Sequence, residues 1–201
     1  ENDSPEDACY YQRARAWYFL RETEKAVEDL NICCEKEPNS EAVLMFRAAC
    51  RRVLGQFEKA VDDYSRMIYY YPEHIRALHL RATIYEEELE KYEEVVRDES
   101  QILEIDADYQ PAWLLRGRAW GALSFQTQKA KANGEKSPVR MADWFGMEFF
   151  DVKECLDRAL ADLTRAAELA PDDQEAIWVR GYYRYRARDY LGTIEDFKRI
   201  V

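Results

Sequence analysis

The sequence predicts an all-α fold of repeated antiparallel helix pairs, and three observations carry that prediction. Seven Gly and six Pro among 201 residues leave long stretches unbroken, which favours helices over a turn-rich all-β chain. Pro38 and Pro72 stand 34 residues apart, and each closes a helical pattern. Between them, small residues recur at matching places, with Ala14, Ala48 and Ala82 in one series. Self-similarity at such a period marks stacked helical hairpins, because a single hairpin cannot bury its own apolar face.

Counting each unit from 1 to 34 with its proline at 32 places the units at 7–40, 41–74, 75–109, 110–173 and 174–201. Pro171 closes the fourth unit, and Ala107 stands where the third would carry its proline. Position 8 is Ala14, Ala48, Ala82, Gly117 and Gly181, and position 20 is Ala26, Ala60, Val95, Ala159 and Thr193. Small side chains there let two helices approach closely. Larger residues at positions 4 and 27, such as Leu44 and Met67, fill the space between neighbours. Unit three needs one extra residue near Leu89, and Glu99 replaces an apolar residue at its position 24, which predicts weakened packing there. Ser40 and Asp173 are placed to cap the helices that follow, and Gly55 lies where a left-handed residue is wanted between two helices. Tyr69, Tyr70 and Tyr71 end a helix and are expected to pack between units.

These positions resemble the tetratricopeptide repeat over nearly the whole chain. Residues 41–74 match it most fully, with Leu44, Ala48, Gly55, Phe57, Ala60, Tyr64 and Pro72 on the family's positions. The resemblance implies a right-handed superhelical solenoid of antiparallel helix pairs, here a single one over 1–201 with the fifth unit partial. It also implies that positions 2, 5, 9 and 12 of each unit face a concave peptide-binding groove. Those positions include Tyr11, Arg15, Tyr18, Met45, Ala49, Arg52, Arg76, His79, Thr83 and Glu86. Later units add Leu114, Arg118, Glu175, Trp178, Tyr182 and Tyr185.

Two positions do not vary. Position 7 is Arg13, Arg47, Arg81, Arg116 and Arg180, and position 23 is Asp29, Asp63, Asp98, Asp162 and Asp196. Arginine fills 20 of 201 positions, so five matches at one chosen position have a chance of roughly one in a hundred thousand. One position lies on each helix of the hairpin, and they are expected to form structural ion pairs that fix its register. No phosphate-binding loop, nucleophile elbow or paired catalytic carboxylates are visible, and the chain reads as non-catalytic.

Net charge is −11, which argues against nucleic acid as a partner. The groove positions nevertheless hold four Arg against two Glu, with aromatics between them. A cationic, aromatic groove on an acidic chain predicts a protein or peptide partner carrying acidic and apolar residues. The function expected is an interaction scaffold or adaptor. A co-chaperone for unfolded chains and a regulatory repeat arm of a larger enzyme are the alternatives. The family's chaperone-tail clamp would use Tyr11, Arg15, Phe46, Arg76 and Leu80, of which only Arg76 is compatible, so that role is not expected.

An insertion at 124–153 interrupts unit four. Ser124 to Lys131 can extend the first helix and Gly134 can stop it. Trp144, Phe145, Phe149 and Phe150 are too apolar to lie bare in water. They are expected to pack on the chain's own helices, or else to form a second docking patch. His74 and His79 are five apart, the wrong spacing for a helical metal pair, and neither metal nor cofactor is expected. Five cysteines with no metal-site spacing predict reduced thiols and a cytoplasmic location. No apolar run long enough to span a membrane occurs. No helix follows to cap unit five, so the native protein is expected to continue, or a partner in a larger complex to cover that end.

Overall fold

The computed structural model describes residues 5–135 and 151–201. Among them the secondary structure is helical, with no strand. The helices are α1 Pro5–Phe19, α2 Thr23–Lys36, α3 Glu41–Val53, α4 Phe57–Tyr70 and α5 Ile75–Glu87, followed by α6 Tyr92–Ile105 and α7 Gln110–Ala132. The last three are α8 Val152–Leu169, α9 Gln174–Arg186 and α10 Tyr190–Lys198. The aromatic residues Trp144, Phe145, Phe149 and Phe150 lie outside the described residues.

The chain divides into two compact parts, Glu1–Ile84 and Tyr85–Val201. In the N-terminal part α1 packs on α2, α2 on α3 and α3 on α4. Leu30, Leu44, Tyr64, Met67 and Leu78 are buried there almost completely. In the C-terminal part α6 packs on α7, α7 on α8, α8 on α9 and α9 on α10. Its interior holds Ile102, Leu123, Leu163 and Ala166. Ala14, Ala48 and Ala82 at position 8 are fully buried. At the same position of unit four, a Cβ on Gly117 would stand 2.8 Å from the Leu163 side chain and 3.3 Å from the Ala159 carbonyl oxygen. The missing side chain is what lets α7 lie against α8.

The turns joining the two helices of units one, two, three and five share one device. Arg21, Gly55, Glu90 and Arg188 have φ of 65°, 67°, 49° and 66°. Each reverses the chain with one left-handed residue, which only glycine adopts without cost. Helix starts differ more than the sequence suggested. Asp173 accepts hydrogen bonds from the backbone N–H groups of Glu175 and Ala176, but Ser40 makes no side-chain cap at α3. α8 opens with a capping box in which the Asp151 side chain accepts from the Glu154 N–H and the Glu154 side chain accepts from the Asp151 N–H. α7 runs through Ser124 to Ala132, and Gly134 follows with φ 73°.

One local expectation changes. Tyr69, Tyr70 and Tyr71 are exposed rather than packed between units. Only Tyr71 reaches back, its hydroxyl donating to the Asn39 carbonyl at 3.1 Å. Glu99 is completely buried on α6, a carboxyl in an apolar residue's place at position 24.

Candidate functional site

Arginine and aspartate pair across the hairpin in units one, two, four and five. Arg13 donates from Nε and Nη2 to Asp29 at 2.8 and 2.6 Å. Arg116 holds Asp162 in the same bidentate way, at 2.8 Å for both bonds. Arg47 grips Asp63 with a 2.6 Å bond from Nη2, and Arg180 pairs with Asp196 through Nε and Nη2. A planar fork meeting a carboxylate in this manner fixes rotation as well as distance.

The third nitrogen of the guanidinium does a second job. Arg47 Nη1 donates to Asn31 on α2, Arg81 Nη1 to Ser65 on α4, and Arg116 Nη1 to Ser100 on α6, at 3.0, 2.8 and 3.0 Å. Each acceptor lies 16 residues earlier, on the second helix of the preceding unit. Arg47 and Arg116 therefore tie three helices together, two from their own unit and one from the unit before. Asp98 is buried on α6. Units two and five add a second arginine one turn on. Arg51 reaches Asp63 at 2.7 Å and Arg184 reaches Asp196 at 3.0 Å. Burial raises Asp162 above the ordinary carboxylate range, working against the hydrogen bonds from Arg116.

The groove positions gather in two separate clefts, one in each compact part. The N-terminal cleft has a volume of about 700 Å³, and its walls include Tyr11, Arg15 and Tyr18 from α1, Met45 and Arg52 from α3, and Arg76 from α5. Phe46 also lines this cleft, although it is not at position 2, 5, 9 or 12 of its unit. Tyr11 and Tyr18 both meet the Phe46 ring edge-on, with centroids 5.9 and 5.5 Å away. Arg52 hydrogen-bonds the Tyr64 hydroxyl, and Tyr64 titrates above its ordinary value because burial outweighs that arginine. Three arginines face one carboxylate along this wall, and that carboxylate, Glu41, already contacts His74 at 3.2 Å.

The C-terminal cleft, of about 460 Å³, is lined by Arg118, Trp178 and Tyr182 together with Glu86, Glu87 and Glu175. Arg118 is not a free cation. Its Nε lies 2.9 Å from Glu86 and its Nη1 3.0 Å from Glu175. Burial lifts the Glu86 carboxyl above its ordinary value despite Arg118, and burial pushes the Tyr183 hydroxyl up to about 12. Leu114, Tyr185, His79 and Thr83 lie outside both clefts. Leu114 packs against buried Leu163 and Val179, Tyr185 is exposed and meets Tyr190 edge-on, and His79 is half-buried on α5 with its carbonyl accepting from Thr83.

No group of three or more potential metal ligands gathers among the described residues. Cys33, Cys34, Cys50 and Cys155 are buried and Cys9 is exposed, none of them joined in a disulfide. Burial pushes Cys50 and Cys155 up to about 11, so neither is an activated nucleophile.

A family model for the tetratricopeptide repeat matches residues 8–40 and 44–74. Residues 8–40 and 44–74 carry the tetratricopeptide repeat. MamA (residues 41 to the end) from Desulfovibrio magneticus RS-1 superposes with a TM-score of 0.76 at 14% identity, covering 99% of this chain and 95% of that one. A MamA RS-1 double mutant gives 0.77 at 14% identity, over 99% and 94% of the two chains. YrrB, described as a tetratricopeptide protein with an unusual peptide-binding site, gives 0.67 at 14% identity over 94% and 82%. At these identities the likeness shows the fold, an all-α tetratricopeptide solenoid of antiparallel helix pairs. No curated protein matches the chain in sequence. Such repeats serve as protein–protein interaction scaffolds. Among the described residues no helix is long and apolar enough to cross a membrane.

Proposed function

We propose that this chain is a non-catalytic adaptor whose N-terminal cleft binds an extended or helical partner segment bearing acidic and apolar residues. The observation that carries the reading is the wall on which Arg15, Arg52 and Arg76 surround the Tyr11, Phe46 and Tyr18 ring cluster. Arginines beside an aromatic floor supply charge-assisted hydrogen bonds to carboxylates and apolar area between them. The net charge of −11 works against an acidic segment on the chain as a whole, so a cationic cleft favours where it lands. YrrB, with the same fold, has a peptide-binding site. A holdase for unfolded chains would need a more uniformly apolar cleft than this one. Four buried cysteines without a disulfide suit a reducing compartment such as the cytoplasm.

The test is fluorescence polarisation with a library of short labelled peptides that alternate acidic and apolar residues. At least one member should bind saturably and weaken with added salt. The double variant Arg15→Glu, Arg76→Glu, both exposed positions, should lose binding by about tenfold or more while its helicity stays unchanged. Equal binding by the variant, or no saturable binding by any member, overturns the reading.

A further inference from the structure

The C-terminal cleft has the charge of the opposite sign. Glu86, Glu87 and Glu175 face it against Arg118 alone, and Arg118 is already held by two of those carboxylates. Its aromatic surface is also arranged differently. Trp178 lies parallel to Tyr182, with centroids 5.9 Å apart and planes 4° from coplanar, and Trp178 remains 54% exposed. An indole backed by a stacked ring and left open to water offers an electron-rich face. Carboxylates beside such a face attract a cation twice over, through the ring quadrupole and through charge.

We propose that the C-terminal cleft is a second recognition site of reversed polarity, which takes an arginine side chain of a partner segment over Trp178 with Glu87 and Glu175 as its counter-charges. Guanidinium suits the site better than ammonium because it is planar, weakly hydrated and stacks on aromatic faces. The cleft volume of about 460 Å³ is within the range of built ligand sites. Glu175 is only half committed, since Arg118 shares its guanidinium between Glu175 and Glu86. Glu87 stands on the last turn of α5, exposed. The inference rests on the adaptor reading but assigns this cleft the opposite ligand class. It therefore replaces the expectation that Arg118 contributes to a cationic groove.

The test follows the Trp178 indole N–H by NMR, assigned with the variant Trp178→Phe, during titration with the capped tripeptide Gly-Arg-Gly and separately with Gly-Glu-Gly. The arginine peptide should shift that resonance saturably and the glutamate peptide should leave it in place. The double variant Glu87→Gln, Glu175→Gln keeps the reporter and should weaken the arginine response by about tenfold. An equal or larger response to Gly-Glu-Gly, no response to Gly-Arg-Gly, or an unchanged response in the double variant each overturns the proposal. Failure of the acidic-peptide library at the N-terminal cleft is a separate result, because the double variant leaves Arg15, Arg52 and Arg76 intact. Loss of arginine binding with the library still bound sinks only this site.

Discussion

Arg47 and Asp63 lie on the two helices of one hairpin, and the arginine closes on the aspartate with Nε and Nη2 while Nη1 reaches Asn31 on the preceding unit. One side chain thus sets both the angle within a hairpin and the register between hairpins. Asp63 is 2% exposed and also receives Arg51 at 2.7 Å, so its carboxylate neutralises two guanidinium groups at once. Burial acts most strongly against the Arg47 charge, yet its pKa is raised, because the hydrogen bonds to Asp63 and the negative charge of Asp63 together outweigh that burial.

Asp63→Ala should therefore destabilise the chain by about 3 kcal/mol, since it strands cations in a mostly buried site. Asp29→Ala, at the equivalent rung of unit one, should cost much less, because the Arg13 side chain it leaves behind is 56% exposed and water replaces its partner. Urea denaturation of the two variants checks the order. Equal losses would mean that the rungs act through hairpin propensity and not through burial.

Much of this architecture is legible in the sequence, and the reason is physical. Helix pairs that must touch closely demand small residues at fixed positions, and a bidentate pair demands one residue type at each end. Both leave constant letters, as at Ala48 and Gly117 or Arg47 and Asp63. The inter-unit bond leaves no such mark. Asn31, Ser65 and Ser100 need only offer one oxygen to Nη1, so the residue type drifts and the pattern disappears. The candidate site is less legible. Positions 2, 5, 9 and 12 bring Tyr11, Arg15, Tyr18, Met45, Arg52 and Arg76 to one cleft, yet they say nothing of Phe46 between the two tyrosines. They also count Arg118 as a free cation. Its partners Glu86 and Glu175 stand on other helices, and only the folded chain reveals that its charge is spent. Leu114 obeys the same rule and is drawn into the core, because the α7–α8–α9 packing around Leu163 and Val179 offers it an apolar place.

The left-handed turns give a second prediction. Gly55 takes φ 67° without strain, but Arg21 and Arg188 take 65° and 66° with a Cβ present. A non-glycine residue pays about 1 kcal/mol or more for that conformation, and glycine gives back part of the gain as extra freedom in the unfolded chain. Arg188→Gly should thus raise stability by roughly 0.5 kcal/mol, a net of those two effects. A thermal melt beside Arg188→Ala separates the causes, since alanine removes the side chain but keeps the Cβ. If alanine stabilises as much as glycine, the backbone account is wrong.

A third prediction concerns pH. Glu86 has its carboxyl above the ordinary 4.5 because burial penalises the charge, with Glu87 and Glu175 pushing the same way and Arg118 pulling against them. The folded chain consequently takes up this proton more readily than the unfolded one. The contribution is fully present below 4.5 and is lost as pH rises through the raised folded value. Mild acidification also relieves the self-repulsion of a net charge of −11, which has the same sign, so the wild-type slope alone does not isolate Glu86. Glu86→Gln does. It keeps the shape, removes the titration and leaves Arg118 with Glu175. The melting temperature should rise less for Glu86→Gln than for the native chain between about pH 8 and about pH 5. Parallel slopes for the two proteins would show that the carboxyl titrates alike in the folded and unfolded chain, and that the rise on acidification comes from the overall charge.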